Sequence, residues 1–191
     1  MSSISASLSS GADVPCSVHV PFSGTDLWEN PPLCPTCGSK VGKYDAKLYK
    51  VLGPRRKGFA LSMTSDGFYL ISKRFLMGAA EFQGVTFVPL ERGYAAIEFH
   101  RRVDLDVPAE MSSAKELCPT CGQYRSLSIH LNYRRKLAAH EAPIRAMEIV
   151  CSRLEWGDRL LRSPDMIIGD GVRQVLIENK LMNGVSLREL D

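Results

Sequence analysis

The sequence predicts an α+β fold organised around a four-cysteine metal site, and three observations predict it. The string Cys34-Pro35-Thr36-Cys37-Gly38 recurs unchanged as Cys118-Pro119-Thr120-Cys121-Gly122. Runs of alternating apolar and polar residues, the period of half-buried strands, lie before, between and after the two boxes. A short strand, an amphipathic helix pattern and another strand follow one another twice, once in the middle of the chain and once at its end. The expected architecture is a four-cysteine zinc-knuckle module with a long insertion plus two strand-helix-strand units, which read as an internal repeat. Since strand-helix-strand is a common pattern, coincidence is the alternative to a repeat.

Taken in order, Val14, Cys16, Val18, Val20 and Phe22 alternate with mostly polar neighbours and predict a strand with Cys16 on its buried side. Trp28 and Pro31-Pro32 lead into the first box. Phe59, Leu61 and Met63 alternate, Ser65-Asp66-Gly67 turns, and Phe68 to Ile71 is a short strand. Ser72 caps a helix from Lys73 to about Phe82, with Phe75, Leu76, Ala79 and Phe82 on one face. Val85 to Val88 is the next strand. Ile97, Phe99, Val103, Leu105 and Val107 alternate strongly, with His100 on the polar side. Beyond the second box, Leu127, Ile129, Leu131 and Tyr133 alternate with Ser128, His130 and Asn132. Met166 to Ile168 is a strand, Asp170 an N-cap, Val172 to Met182 a helix stopped by Asn183-Gly184, and Val185 to Leu190 a closing strand. The organisation expected is a flexible N-terminal tail (1–13), a first knuckle with its strand segment (14–53), an inserted α/β unit (54–107), a second knuckle and strand (108–136) and a C-terminal α/β unit (137–191), all in one compact domain.

The boxes carry the chemistry. A CxxC turn brings two sulfurs to one metal ion, and two turns supply the closed four-thiolate set of structural zinc. Pro35 and Pro119 pre-set φ for the turn, while Gly38 and Gly122 permit the positive φ that aims backbone N–H groups at the thiolates. Cys34, Cys37, Cys118 and Cys121 are therefore the candidate ligands of a single Zn2+. Iron also suits four thiolates in a tetrahedron. A closed set leaves no position for a catalytic water. A C-P-T-C pair on its own could be a thioredoxin-like redox site, but such a motif opens a helix, and Gly after the second cysteine is a poor helix start. Unligated thiols are the third reading. Compact zinc ribbons separate their knuckles by about 15–20 residues. Here 80 residues intervene between Cys37 and Cys118, so the ion would staple distant parts of the chain.

Composition narrows the classes further. Of the 191 residues, 45% are hydrophobic and 24% charged, which excludes a disordered chain, a collagen and a coiled coil. No run approaches the ~20 apolar residues of a membrane span. The Ser-rich start lacks the pattern of a secretory signal, so a reducing cytoplasm is expected. A net charge of +3 is too small to argue for nucleic acid. Arg55-Arg56-Lys57, Arg101-Arg102 and Arg134-Arg135-Lys136 could meet phosphates, yet short charge runs are usually solvated turns. No H-E-x-x-H or G-x-S-x-G is present. Gly38 to Lys43 is one residue short of a P-loop, and Gly169-Asp170-Gly171 lacks the third glycine of a dinucleotide fingerprint. The scattered histidines, His19, His100, His130 and His140, form no motif. No catalytic residue is expected, and the chain reads as a non-enzyme.

The lead-in Trp28, Pro31 and Pro32, the two C-P-T-C-G boxes and the ending Gly184-Val185-Ser186-Leu187-Arg188-Glu189-Leu190 together resemble the double-CXXCG-motif family of bacterial proteins. The likeness spans most of residues 28–191, although the middle matches only in pattern and the first 20 residues match nothing. Members are described as immunity proteins that neutralise a cognate toxin from the same locus. The resemblance implies a non-enzymatic partner of a protein toxin. A zinc-ribbon nucleic-acid binder is the alternative, disfavoured by near-balanced charge and an aromatic content of 8%. Oligomeric state, the toxin and its contact residues do not follow from the sequence.

Overall fold

The architecture is that of a computed structural model, which describes residues 14–23, 30–41, 59–108, 112–129, 135–158 and 161–191. The expected tail 1–13, Trp28, Arg55-Arg56-Lys57, His130, Leu131, Tyr133 and Arg134 lie outside the described residues. In chain order the elements are β1 (Cys16–His19), β2 (Leu61–Met63), β3 (Tyr69–Ser72), α1 (Lys73–Gly78), β4 (Val85–Pro89), β5 (Tyr94–Phe99), β6 (Arg102–Val103), β7 (Leu105–Asp106), β8 (Ser112–Leu117), β9 (Tyr124–Ile129), β10 (Lys136–Leu137), β11 (Ile149–Asp158), β12 (Leu161–Ile168), α2 (Asp170–Glu178) and β13 (Ser186–Glu189).

The expected α+β class with two strand-helix-strand units is not what the chain forms. The described residues are mostly β, 45% strand against 12% helix, with a curled half-barrel sheet. Seven strands build that sheet in the order β13-β1-β12-β11-β9-β8, with β6 parallel to β11. A second sheet runs β2-β3-β5-β4, and β10 pairs with β7. The strands flanking each helix are not neighbours. β5 lies between β3 and β4, and β1 lies between β12 and β13, antiparallel to both in each case. The helices are connectors of six and nine residues, too short to form a layer.

Both helices are shorter than their sequence patterns: α2 ends at Glu178 in a local turn, with Lys180 at φ +54° and Leu181 N donating to Leu176 O at 2.8 Å. α1 stops at Gly78 instead of near Phe82, and Gln83 then exchanges backbone hydrogen bonds with Met147 and Ile149 at 2.8 and 2.9 Å. Asp170 is the first residue of α2, not its cap; Gly169 takes that place without a side-chain bond.

The hairpin β11–β12 is the spine. Its inner part, residues 149–152 and 164–168, is buried on both faces. Cys16, Val18, Met166, Ile168 and Ile149 face a core shared with Leu61, Tyr69, Ile71 and Ile97 of the smaller sheet, Phe75 of α1, and Val172 and Leu176 of α2. Val150 and Ile167 face a second core with Val103, Leu105, Ile144 and Leu190. Burying each such side chain contributes about 1.5–3 kcal/mol. Between the two cores, polar groups are paired. The Tyr69 hydroxyl donates to Pro164 O at 2.8 Å and accepts from Met166 N at 3.1 Å, and Arg135 is ion-paired with Asp165 in the interior. Beyond this spine β9 meets β11 at Leu127↔Gly157 and Ser126↔Asp158, carrying the β8–β9 hairpin and the second box at its tip.

Candidate metal centre

Each box is the tip of a hairpin, and the two tips have the same backbone design. In the first, Leu33 pairs with Lys40, Cys34 N donates to Ser39 O at 2.8 Å, and Gly38 N donates to Cys34 O at 2.8 Å. In the second, Leu117 pairs with Tyr124, Cys118 N donates to Gln123 O at 2.9 Å, and Gly122 N donates to Cys118 O at 2.9 Å. Gly38 and Gly122 have φ of +70° and +66°, as the turn demands. No atom lies within 4 Å of where a Cβ would stand at either, so backbone conformation and not crowding selects glycine.

The tips face each other about a local pseudo-twofold. Cys34 Sγ lies 3.7 Å from Cys118 Sγ, and Cys37 Sγ lies 3.7 Å from Cys121 Sγ. Thr36 Oγ1 and Thr120 Oγ1 are 2.7 Å apart. In all three contacts the partners are equivalent residues 84 positions apart. All four ligand atoms lie within 4.8 Å of one another. A tetrahedron with Zn–S bonds of about 2.3 Å has edges of about 3.8 Å, whereas a disulfide is about 2.05 Å long. The sulfurs are free thiols at metal-ligand spacing. Cys34 and Cys118 are buried, at 3% and 4% exposure, while Cys37 and Cys121 are partly open.

The electrostatics are divided among the ligands. Ser39 Oγ lies 3.2 Å from Cys37 Sγ. Its hydroxyl, aided by its backbone N–H, holds the Cys37 thiol well below the usual range, at about 6. The Cys121 and Thr120 backbone N–H groups draw Cys118 down as well. Burial pushes Cys121 the other way, up to about 12, against the pull of the Gln123 N–H. Several thiolates cannot share so small a volume without a counter-charge, and a divalent cation supplies one. The four cysteines thus form a candidate metal-binding site, joining residues expected from the sequence to come together. Ser39, which tunes one sulfur, was missed; its place immediately after the first box, where Gln123 follows the second, is the signal that points to it.

The other singled-out residues are occupied elsewhere. Gly169 and Gly171 bind no nucleotide phosphate: a Cβ at Gly169 would stand 2.0 Å from Arg145 O, and Val172 N donates to Ala146 O at 3.0 Å. The motif serves close packing of α2 on the 145–147 segment. Gly38, Ser39 and Lys40 of the near-P-loop are spent on the knuckle. Cys16 and Cys151 are buried in strands, as expected for Cys16. His100 is exposed, bonded to Thr86 Oγ1 at 2.7 Å. His19 is half-buried, and burial, with Arg135 nearby, lowers its pKa. Arg101 is held by Glu148, Glu141 and the Pro143 and Ala142 carbonyls. Asp104, His140 and Glu141 form a second cluster of potential ligands, also unforeseen. There Asp104 is paired with Arg153 at 3.3 Å, and Glu141 accepts from Asp104 N at 2.8 Å, so the carboxylates already have cationic or N–H partners.

Among the described residues no helix is long and apolar enough to cross a membrane. No protein-family model matches the chain, and no curated protein matches it either.

Proposed function

We propose that this chain is a non-enzymatic binding protein held in shape by one structural zinc ion on Cys34, Cys37, Cys118 and Cys121. The observation that carries the metal is the pair of 3.7 Å sulfur separations across the hairpins, the edge length of a four-thiolate zinc tetrahedron. With four protein ligands the ion has no open position for substrate or water, and its work is to hold together two hairpins far apart in sequence.

The partner follows from the family resemblance: a cognate bacterial protein toxin, neutralised by tight binding in the cytoplasm. A metal-stapled β scaffold suits that task, because a rigid surface loses less ordering entropy on association. The nucleic-acid reading is weaker, since Arg101 and Arg135 are committed to carboxylates, Arg135 in the interior. Metal analysis of protein purified without added metal should find about one zinc per chain. Iron in its place would change the ion and keep the site; disulfides within each box and no metal would sink it. The toxin reading is tested by co-expression with the toxin candidate of the same locus. Rescue of growth together with co-purification supports it, and rescue by an unrelated mechanism or none at all overturns it.

A further inference from the structure

We infer that the metal centre is a redox-exchangeable staple, in which a peroxide-class oxidant replaces the zinc with a disulfide between hairpins, Cys37 to Cys121, and not within either C-P-T-C box. The inference rests on the zinc reading above and adds a covalent state to it.

Two observations carry it. The first is access: Cys37 and Cys121 are partly open to solvent, whereas Cys34 and Cys118 are buried at 3% and 4% exposure. An oxidant therefore meets one sulfur from each hairpin, not both sulfurs of one box. The second is pairing: those two accessible sulfurs face each other at 3.7 Å, and the shielded pair behind them, Cys34 and Cys118, does the same. Bond formation requires the sulfurs to close to about 2.05 Å, and the movement is a convergence of the two hairpin tips.

The step balances without a protein co-reactant. A thiolate of Cys37 or Cys121 attacks one peroxide oxygen, the O–O bond breaks, hydroxide leaves, and a sulfenic acid forms. The facing thiolate attacks the sulfenic sulfur and expels a second hydroxide. Two electrons pass from the sulfurs to peroxide, Zn2+ leaves because half of its ligands are consumed, and the two hydroxides formed balance its two positive charges or are neutralised by buffer acid. Cys34 and Cys118 are then free to close a second crossed disulfide with a further equivalent of oxidant. Because either bond spans 84 positions, the two hairpins stay joined in both states. A disulfide inside a box would release them from each other.

The test treats the zinc-loaded, full-length protein with stoichiometric hydrogen peroxide, follows zinc with a chromogenic chelator, blocks remaining thiols and maps disulfide-linked peptides by mass spectrometry. Zinc content is measured before the oxidant is added, and absence of zinc at that point defeats the metal reading on its own. With zinc present, the expected result is loss of one zinc per chain in step with a Cys37–Cys121 linked peptide, with Cys16 and Cys151 left as thiols. Cys34–Cys37 or Cys118–Cys121 as the first product overturns the inference, as does zinc release with only sulfinic or sulfonic acid. Either of those outcomes leaves the zinc reading standing.

Discussion

The two knuckles share a sequence and a hydrogen-bond pattern, but among the described residues their supports differ. The second caps the β8–β9 hairpin, whose β9 is paired with β11 and roots Leu127 in the interior at 5% exposure. Among the described residues the first is supported by the bridge Leu33↔Lys40 and a bond from Val41 N to Pro32 O at 3.0 Å. The same turn at both boxes is set by the local sequence, through Pro at its start and positive φ at its glycine. On the zinc proposal, the ion and the Thr36–Thr120 contact join the first knuckle to the sheet-anchored second one.

The largest effect should come from breaking the ligand set. Cys118→Ser leaves three thiolates and one weaker oxygen ligand. Structural zinc contributes on the order of 10–16 kcal/mol in small zinc-finger peptides, so losing even a third of it would cost several kcal/mol. The melting temperature should fall, and on the toxin-binding proposal protection should fall with it. Hydrogen exchange should show an asymmetry: the Cys34, Gly38 and Val41 amides lose protection while the β9 amides paired to β11 keep theirs. Equal loss at both hairpins would mean that the sheet does not anchor the second knuckle.

The candidate metal site was legible because the specification of each knuckle is local. Four cysteines, two prolines and two glycines in two identical strings fix the turns wherever the rest of the chain goes. The fold was not legible for equally physical reasons. Ile149, Val150 and Cys151 are buried on both faces, so β11 shows no alternation at its start. A register shift between Cys151 and Glu155 then breaks what period remains. Pro164 sits inside β12 at that irregularity, opposite Glu155, where a proline in sequence argues against a strand. With the central hairpin hidden, the two short helices carried too much weight, and an α+β class resulted. β1, β3 and β4 were readable because their patterns are short and unbroken. Asp104, His140 and Glu141 could not be foreseen as a group, since 36 positions and four strands separate Asp104 from His140.

The glycines give a smaller, symmetrical effect. Gly38→Ala and Gly122→Ala each force an L side chain into the left-handed region at a cost of roughly 1–2 kcal/mol. Open space surrounds both positions, so the loss should be nearly equal in the two knuckles despite their different foundations. Denaturant midpoints of the zinc-loaded variants measure it. A markedly unequal pair would show that the scaffold, and not the turn alone, dictates the backbone there.

The smallest effect should separate the knuckles again. Ser39 is fully buried, and its hydroxyl sits 3.2 Å from Cys37 Sγ; Gln123 holds the same position after the second box, but its side-chain Oε1 is buried with no hydrogen-bond partner. A hydroxyl that donates to a thiolate stabilises the ligand in its metal-binding form, and a hydrogen bond to a charged group is worth about 1.5–3 kcal/mol before competition from the metal for the same sulfur charge. Much of that charge is donated to zinc, so Ser39→Ala should weaken zinc binding by about 1 kcal/mol, roughly fivefold in a competition titration with a chelator. Gln123→Ala removes no such bond and should leave zinc affinity unchanged. Gln123→Ser tests the idea in the opposite sense, because it offers the second knuckle the hydroxyl that the first already has. Tighter zinc binding in that variant, together with weaker binding in Ser39→Ala, would assign the difference between the knuckles to this one hydroxyl. Unchanged affinity in Ser39→Ala would instead leave the backbone N–H groups, common to both turns, as the whole support of the thiolates.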